Sequence, residues 1–163
     1  MPLREIALRL ALAAALGMAI GIERELRRKP AGLRTNMLIA LGSALFTIVS
    51  VELARIYGGG SPDRVAAQIV TGIGFLGGGA IMRSGNEVHG LTTAATAWVN
   101  AAIGMSAGIG HYGMAMGGTI LTLVVLVVLP PIEHYFETLA GVKHRRRASD
   151  QLPPDTPPLP PTR

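Results

Sequence analysis

Charged residues divide this chain into a few long apolar stretches. The chain is uncharged over four runs, which are 10–22, 35–51, 65–82 and 88–132. A helix needs roughly 20 residues to cross the apolar core of a bilayer, and the last run is long enough for two such helices joined by a turn at 108–113. The pattern therefore predicts an all-α, polytopic membrane protein with about five transmembrane helices, at roughly 4–23, 34–55, 64–82, 91–109 and 112–132.

The end of the last helix is predicted from proline. Pro130 and Pro131 follow a run rich in Leu and Val, and a proline inside a helix removes a hydrogen-bond donor and clashes with the preceding turn. We therefore expect the last spanning helix to stop there, with 133–142 as a short amphipathic continuation. The membrane domain would then be 1–142, followed by a basic and then proline-rich, disordered cytoplasmic tail at 143–163.

The distribution of Lys and Arg predicts the orientation of the helices. Five basic residues lie between the first two apolar runs, and further ones precede helix 4 and follow helix 5, whereas the other side holds Arg4, Arg9, Arg55 and Arg64. Cytoplasmic loops carry an excess of Lys and Arg. The N-terminus is therefore expected outside and the C-terminus in the cytoplasm.

Composition and charge narrow the function classes. The chain is 49% hydrophobic and 15% charged, with a net charge of +5. Its basic residues border apolar segments, which favours contact with the lipid bilayer and not with nucleic acid. The sequence has no Cys and lacks the P-loop, HExxH and GxSxG patterns, so we expect neither an enzyme nor a cofactor or metal site. All ten carboxylates fall in loops, at helix ends or in the tail, which disfavours a conventional pump.

Glycines recur at helical spacing in four of the predicted helices. The GxxxG pairs are Gly17/Gly21, Gly74/Gly78, Gly104/Gly108 and Gly113/Gly117. Glycines four residues apart allow two helix backbones to approach closely in lipid. The pairs predict tight helix packing within one subunit, between the subunits of a homodimer or other homo-oligomer, or both.

Helix 4 carries a ridge of small and polar residues at four-residue steps. Its members are Thr92, Thr96, Asn100, Gly104 and Gly108. Polar side chains within lipid seek partners inside the bundle, and Gln68 and Thr71 on helix 3 are the candidates. The ridge indicates interhelical hydrogen bonding or, alternatively, a polar path for an ion.

Two pairs of segments carry a family resemblance. One pair is Gly-Ile-Glu-Arg-Glu at 21–25 with Lys-Pro-Ala-Gly-Leu-Arg-Thr at 29–35, and the other is Ala-Gln-Ile-Val-Thr-Gly-Ile-Gly-Phe-Leu-Gly at 67–77 with Gly-Leu-Thr-Thr-Ala-Ala-Thr-Ala-Trp at 90–98. Together they strongly resemble the MgtC/SapB family of bacterial inner-membrane proteins, over roughly residues 5–130. The resemblance implies a multi-pass, five-helix membrane domain connected with growth in low magnesium, acid tolerance and, in some pathogens, virulence through survival inside macrophages. It further implies inhibition of the F-type ATP synthase and control of membrane potential, rather than magnesium transport itself.

The family signature transfers to this chain residue by residue. The first segment pair contributes Glu23, Arg24, Glu25, Lys29, Arg34 and Thr35, and the second contributes Gln68, Gly72, Gly74, Gly77, Gly90, Thr92, Thr93 and Trp98. Asn36 stands where the family often has His, and Gly78 stands where Ala is usual. The soluble cytoplasmic domain that follows the membrane part in MgtC itself is not expected here.

These residues lead to one functional hypothesis and two rivals. We expect a non-enzymatic regulatory membrane protein that supports magnesium or pH homeostasis by packing against itself and a larger membrane complex, such as the F-type ATP synthase or an ion transporter. Its site would be cytoplasmic, with Glu23, Arg34 and Thr35 facing Arg83, Thr92 and Thr93, and with an ion pair between Glu23 and Arg34. One rival is a small magnesium or proton transporter whose path follows Gln68, Thr71, Thr96 and Asn100. The other is a purely structural scaffold.

Overall fold

The computed structural model describes residues 1–58, 61, 63–84 and 87–139, without the side chains of 137 and 139. Within these ranges the chain forms five helices and one small hairpin. The elements are α1 (Leu3–Leu26), α2 (Leu33–Tyr57), α3 (Asp63–Gly79), β1 (Met82–Ser84), β2 (Glu87–His89), α4 (Leu91–Ile109) and α5 (Tyr112–Leu139). The five predicted helices are therefore present, while the predicted tail at 143–163 lies outside the described residues.

The first helix is longer than its apolar run suggested. It continues through the charged residues to Leu26, so Glu23 and Arg24 lie inside a helix. In the following turn, Arg28 and Ala31 have positive φ angles of 52° and 56°. This left-handed conformation is uncommon for residues other than Gly, and it reverses the chain into α2 within a few residues.

The predicted end of the last helix at Pro130 and Pro131 is wrong. Both prolines lie within α5, which continues to Leu139. Because Pro131 has no N–H, it cannot donate to the carbonyl of Val127 four residues earlier. Arg27 Nη2 donates to this carbonyl instead, at 3.4 Å. A side chain from α1 thus compensates for part of the disruption that the prolines cause.

The segment before α4 is a hairpin that the sequence pattern did not predict. β1 and β2 pair antiparallel, with Met82 opposite His89 and Ser84 opposite Glu87. Gly90 follows with φ of 90°, and a Cβ at this position would collide with the carbonyl oxygen of Ala80. Only Gly fits here without strain, so it holds the base of the hairpin close to the start of α4.

Three of the described helices are long and apolar enough to cross a membrane by themselves. They are α1, α2 and the stretch Tyr112–Phe136 of α5. The helix α3 has only 17 residues, which is about 25 Å at 1.5 Å per residue. The helix α4 has 19 residues, and its polar ridge lowers its hydropathy. The prediction of five spanning helices thus stays a prediction for α3 and α4.

Close backbone contacts join α1, α2 and α4 into the core of the molecule. A Cβ added to Gly17 would lie 2.7 Å from the carbonyl oxygen of Asn36, and one added to Gly108 would lie 2.8 Å from that of Ala44. A Cβ at Gly104 would collide with the carbonyl oxygen of Ala40. Two of the four GxxxG pairs therefore pack helices within one chain, as their spacing predicted.

The other two GxxxG pairs have open space around them. No described atom lies within 4 Å of a Cβ added at Gly74, Gly78, Gly113 or Gly117. The helix α3 instead packs on α4 through Ile69 and Ile73, which contact Ala101. Gln68 and Thr71 are exposed on other sides of α3, so the predicted pairing of these two residues with the polar ridge of α4 is wrong.

The chain divides at Val128 into two units. The core described above belongs to Met1–Val127. In the second unit, the described residues continue the helix, and the rings of Tyr135 and Phe136 meet edge to face with centroids 6.1 Å apart.

Candidate functional site

Two asparagines link α2 and α4 in the centre of the core. Asn100 is fully buried and Asn36 nearly so. The Asn100 side-chain amide donates to the backbone carbonyl of Asn36 at 2.7 Å and to its Oδ1 at 3.2 Å. The Asn36 amide in turn donates to the carbonyls of Ala31 and Gly32 at 2.5 and 3.0 Å. This network ties the strained turn before α2 to the middle of α4.

The polar ridge of α4 meets a matching stripe on α2 that sequence reasoning missed. Its small and polar residues are buried at steps of three and four: Asn36, Ala40, Ser43, Ala44, Thr47 and Ser50. Their spacing is that of one helix face, so the signal was present in the sequence.

Arg24 is the most buried charged side chain of the site. Only 3% of the residue is exposed, and its Nη2 donates to Thr93 Oγ1, in the first turn of α4, at 3.0 Å. Its Nε is buried and has no hydrogen-bond acceptor in the described part of the chain. Arg24 and Thr93, both members of the family signature, are thus brought into direct contact.

Glu23 is also buried, but its partner is not the predicted one. Arg27 Nε lies 2.6 Å from Glu23 Oε1, whereas Arg34 is exposed. The prediction of a Glu23–Arg34 pair is therefore wrong. A pair at i, i+4 on one helix needs no particular geometry of the following turn, and it is readily formed once α1 extends past Glu23. The second oxygen, Oε2, is buried without a donor among the described residues.

Glu25 stabilises the start of α2 from the end of α1. Its Oε2 accepts a hydrogen bond from the backbone N–H of Leu33 at 3.1 Å. The first N–H groups of a helix lack intrahelical partners, and an acidic group there also interacts favourably with the helix dipole. Glu25 therefore has a structural role in the turn between α1 and α2.

The remaining signature residues fall into two groups. Gly77 is buried, and a Cβ added to it would lie 3.4 Å from that of Ala94; Gly90 holds the base of the hairpin. The others are exposed side chains or open helix faces: Lys29, Arg34, Thr35, Gln68, Gly72, Gly74, Arg83, Thr92 and Trp98. The structure thus gathers Glu23, Arg24, Thr93 and Asn100 in the interior, and it leaves the predicted Arg34, Thr35, Arg83 and Thr92 on the surface.

The polar ridge of α4 does not continue as an open path between the helices. Thr96 donates to the carbonyl of Thr92 on its own helix at 2.7 Å. Beyond Asn100 the ridge consists of Gly104 and Gly108, whose backbones lie directly against Ala40 and Ala44 of α2. The polar groups of α4 therefore end in the middle of the bundle, where its backbone lies against α2.

A second, partly buried arginine lies towards the opposite end of α1. Arg9 pairs with Glu5, and its Nη1 donates to the carbonyl oxygen of Gly108 at 2.7 Å. This carbonyl belongs to the last turn of α4, where cations interact favourably with the helix dipole. This contact gives Arg9 a structural role.

Metal binding finds little support in these contacts. Among the described residues, no group of three His, Cys, Asp or Glu side chains is placed to hold an ion. The groups that are brought together are cations, one carboxylate, amides and hydroxyls, which favour interactions between helices over chelation.

Comparison with known proteins places this chain in a family. The model of the MgtC family matches residues 10–135. The chain is 50% identical over 129 residues to "Putative magnesium transporter YhiD" of Escherichia coli (strain K12), covering 76% of this chain and 60% of that protein. It is 48% identical over 122 residues to "Protein MgtC" of Salmonella typhimurium (strain LT2), covering 75% of this chain and 51% of that protein. No solved structure matches the chain.

A further relative gives a similar picture. An uncharacterized protein of Synechocystis is 48% identical over 131 residues, which cover 80% of this chain and 55% of that protein. The chain thus spans between half and three fifths of the length of the curated relatives it matches. The matched residues, 10–135, include the whole network of Glu23, Arg24, Asn36, Thr93 and Asn100. The chain belongs to the MgtC family.

Proposed function

We propose that this protein is a non-enzymatic regulator in the bacterial inner membrane that supports magnesium or pH homeostasis through contacts with other membrane proteins. The names of its relatives connect the family with magnesium. The observation that carries the proposal is the buried contact between Arg24 and Thr93. Arg24 lies in the last turn of α1, where a cation is favoured, but it contacts the first turn of α4, where a cation is disfavoured. Its Nε is also buried without an acceptor in the described chain, and this cost supports a role other than stability.

The N-terminal end of a helix carries partial positive charge, and a buried cation placed there is repelled. Arg24 contacts the first turn of α4, and the carboxylate next to it, Glu23, pairs with Arg27. Removal of a guanidinium from water costs several kcal/mol unless its donors are satisfied. An arrangement that conflicts with local physics is often found where a site serves function.

The surface around this contact suggests how a partner would engage it. Arg28, Lys29 and Arg34 are exposed beside Arg24 in the sequence, and the turn is strained at Arg28 and Ala31. By the distribution of basic residues, this end of the bundle faces the cytoplasm. We propose that it binds an acidic region of a larger membrane complex, such as the F-type ATP synthase or an ion transporter.

Complementation in a bacterium that lacks its own MgtC protein tests this role. Arg24→Met keeps most of the side-chain volume and removes the charge, so we expect it to abolish growth in low magnesium at normal protein levels. The control is Arg4→Met, which removes an exposed charge near the opposite end of α1, outside the proposed binding surface, and should keep at least half of the growth rate. Normal growth of Arg24→Met would refute the proposed site.

The partner is tested by affinity purification in mild detergent. The wild-type chain should retain a membrane complex that Arg24→Met loses and Arg4→Met keeps. Recovery of the same proteins with all three chains would separate the partner from Arg24 and contradict this part of the proposal.

A small transporter is the second candidate, and the name of the Escherichia coli relative favours it. The backbones of Gly104 and Gly108 lie directly against α2, and this close contact argues against an ion path between α2 and α4. Purified protein in liposomes should therefore conduct neither magnesium nor protons above the level of empty vesicles. Saturable flux that Asn100→Leu abolishes would establish the transporter and overturn the regulator.

A further inference from the structure

The N-terminal end of α4 has backbone donors without acceptors. Gly90, the residue before the helix, provides no side-chain cap, and the first turn contains no acidic residue. The first hydrogen bond of the helix is donated by Ala94 to the carbonyl of Gly90, at 2.9 Å. The N–H groups of Leu91 and Thr92 precede this bond and have no acceptor within the described part of the chain. Both residues are exposed, so the start of α4 offers unsatisfied donors at the surface.

A buried cation lies beside these donors. Arg24 donates through Nη2 to Oγ1 of Thr93 at 3.0 Å, and its Nε is buried without an acceptor among the described residues. The side chains of a helix lean towards its N-terminus. The Thr93 hydroxyl, and the guanidinium that it binds, therefore lie level with the first residues of α4. The charge of Arg24 adds to the partial positive charge of this helix end.

The charged groups around Arg24 leave its charge uncompensated. Glu23 and Arg27 are close enough to influence it, but these two pair with each other at 2.6 Å. Glu87, the carboxylate that precedes α4, is exposed on β2 and lies 3.4 Å from Nε2 of His89. A buried charge without a partner is costly. The start of α4 therefore favours an anion from outside the chain, which would also compensate for the close approach of a cation to a positive helix end.

The position and chemistry of the site favour a phosphate group. Arg24 lies in the last turn of α1, a helix long enough to cross a membrane, which places the site near the level of the lipid headgroups. A phosphate has several oxygens that can accept from more than one N–H, and helix N-termini are common phosphate sites. At the start of α2, by contrast, the chain supplies its own anion, because Glu25 Oε2 accepts from the N–H of Leu33 at 3.1 Å.

We propose that the N-terminal end of α4 binds a phosphate group, which belongs to an anionic phospholipid of the cytoplasmic leaflet or to free phosphate. Its oxygens accept from the N–H groups of Leu91 and Thr92, while Arg24 compensates its charge from inside the bundle. The basic turn at 27–34 follows α1 at the same end of the molecule. Its exposed cations raise the local concentration of anions.

This site goes beyond the proposed contact with an acidic partner and does not rest on it, although Arg24 takes part in both. The N–H of Thr92 belongs to the phosphate site alone. A variant of Thr92 that loses phosphate and keeps its membrane complex, or the reverse, separates the two proposals.

Binding is measured on the purified full chain in a neutral, phosphate-free detergent. Native mass spectrometry follows retained phosphatidylglycerol in competition with phosphatidylcholine, and equilibrium dialysis follows labelled inorganic phosphate. Selective retention of phosphatidylglycerol without binding of inorganic phosphate identifies the lipid as the source. Saturable binding of inorganic phosphate, which displaces the lipid, identifies the free ion. A chain that neither selects phosphatidylglycerol nor binds inorganic phosphate would overturn the site.

The backbone donor is tested by Thr92→Pro, which removes one N–H from the first turn, where proline costs no helical hydrogen bond. We expect binding to weaken about tenfold or more, because a hydrogen bond to a charged group contributes at least about this factor. Thr92→Ala is the matched control. It keeps the N–H and should weaken binding less than about twofold. Equal losses from the two variants, or unchanged binding by Thr92→Pro, would contradict the proposal.

The charge behind the site is tested by Arg24→Met, which leaves the sequence of α4 unchanged. It should also weaken binding about tenfold or more, because it removes a full positive charge next to the anion. Arg4→Met is the control, since it removes an exposed charge near the opposite end of α1, and it should change binding less than about twofold because distant exposed charges are screened. Wild-type affinity in Arg24→Met would refute the site even where Thr92→Pro fails to fold.

Discussion

Two arginines of α1, the buried Arg24 and the partly buried Arg9, contact opposite ends of α4 in different ways. Arg9 has an acidic partner one turn away, Glu5, and donates to the carbonyl oxygen of Gly108 in the last turn of α4. Arg24 donates to the hydroxyl of Thr93 in the first turn of the same helix. The first arrangement pairs a cation with negative partial charge, and the second places a cation against positive partial charge.

This difference indicates which end of the bundle has a mainly structural role. Arg9 completes the hydrogen bonding at the end of α4 and ties α1 to it, so its contacts explain its presence. Both arginines leave Nε without an acceptor within the described chain. Arg9 has a carboxylate partner in Glu5, whereas Glu23, the carboxylate beside Arg24, pairs with Arg27. The end of the bundle that contains Arg24 is therefore the better candidate for partner recognition, and four substitutions test this distinction.

The largest effect is expected where α4 touches α2 between the two arginines. Gly104→Leu forces a side chain into the backbone of Ala40. It should push α4 away from α2 and thereby disturb the contacts of both arginines. We expect the free energy of unfolding, measured by titration with a denaturing detergent, to fall by about 3 kcal/mol, at the upper end of typical overpacking costs. Gly117→Leu is the control, because a Cβ there meets no described atom within 4 Å. A tolerated Gly104→Leu would show that the contact between α2 and α4 is looser than described.

Arg9→Met should be the next most destabilising change. It removes a charge-assisted hydrogen bond to Gly108, and such bonds contribute about 1.5–3 kcal/mol. Because Glu5 is partly exposed, water solvates it after the change, so we expect a loss of about 2 kcal/mol in the same titration. Function per folded molecule should be unchanged. A loss of complementation at normal protein levels would remove the distinction between the two ends.

Arg24→Met should change stability by less than about 1 kcal/mol in either direction. Replacement of a buried charge by an apolar side chain of similar volume is often neutral or stabilising, because the desolvation cost disappears. The comparison with Arg9→Met in one titration is the critical measurement. A loss of 3 kcal/mol or more from Arg24→Met would assign this residue to stability and weaken the functional argument.

The smallest effect concerns the hydroxyl that Arg24 contacts. Thr93→Val should cost about 1 kcal/mol, the typical contribution of one hydrogen bond, and the cost should shrink when Arg24→Met is already present. Thr96→Val is the control, since its hydroxyl bonds within its own helix. Equal costs of Thr93→Val in both backgrounds, measured as a double-mutant cycle, would show that the two side chains are not coupled.

The helices and their tight packing could be predicted because they depend on local pattern. Apolar runs of helical length placed all five helices, and the GxxxG pairs in α1 and α4 indicated close contact correctly. The identity of the contacting helix could not be predicted, because a GxxxG pair indicates only that the backbone of another helix can approach closely. Two of the pairs, in α3 and α5, have open faces in one copy of the chain.

The sequence predicted several of the residues that form the site, but not which of them contact each other. The signature contained Glu23, Arg24 and Thr93, but Glu23 was assigned to Arg34, and Asn36 was noted only as a departure from the family. The pairing depends on how far α1 continues past its apolar run and on the rotation that follows. A shift of one residue turns a side chain by about 100° around the helix axis, so small errors in helix ends change every contact at the end of the bundle.

The sequence by itself determined that the chain is an all-α membrane protein of the MgtC family with a basic turn after its first helix, because hydropathy and motif spacing are local properties. The tertiary structure decided that Arg24 contacts Thr93, that Asn36 and Asn100 join α2 to α4, and that Arg27 compensates for Pro131. These contacts join residues between 64 and 100 positions apart in the chain. Only the rotation and depth of packed helices bring such distant groups within hydrogen-bonding distance, and no local pattern encodes either quantity.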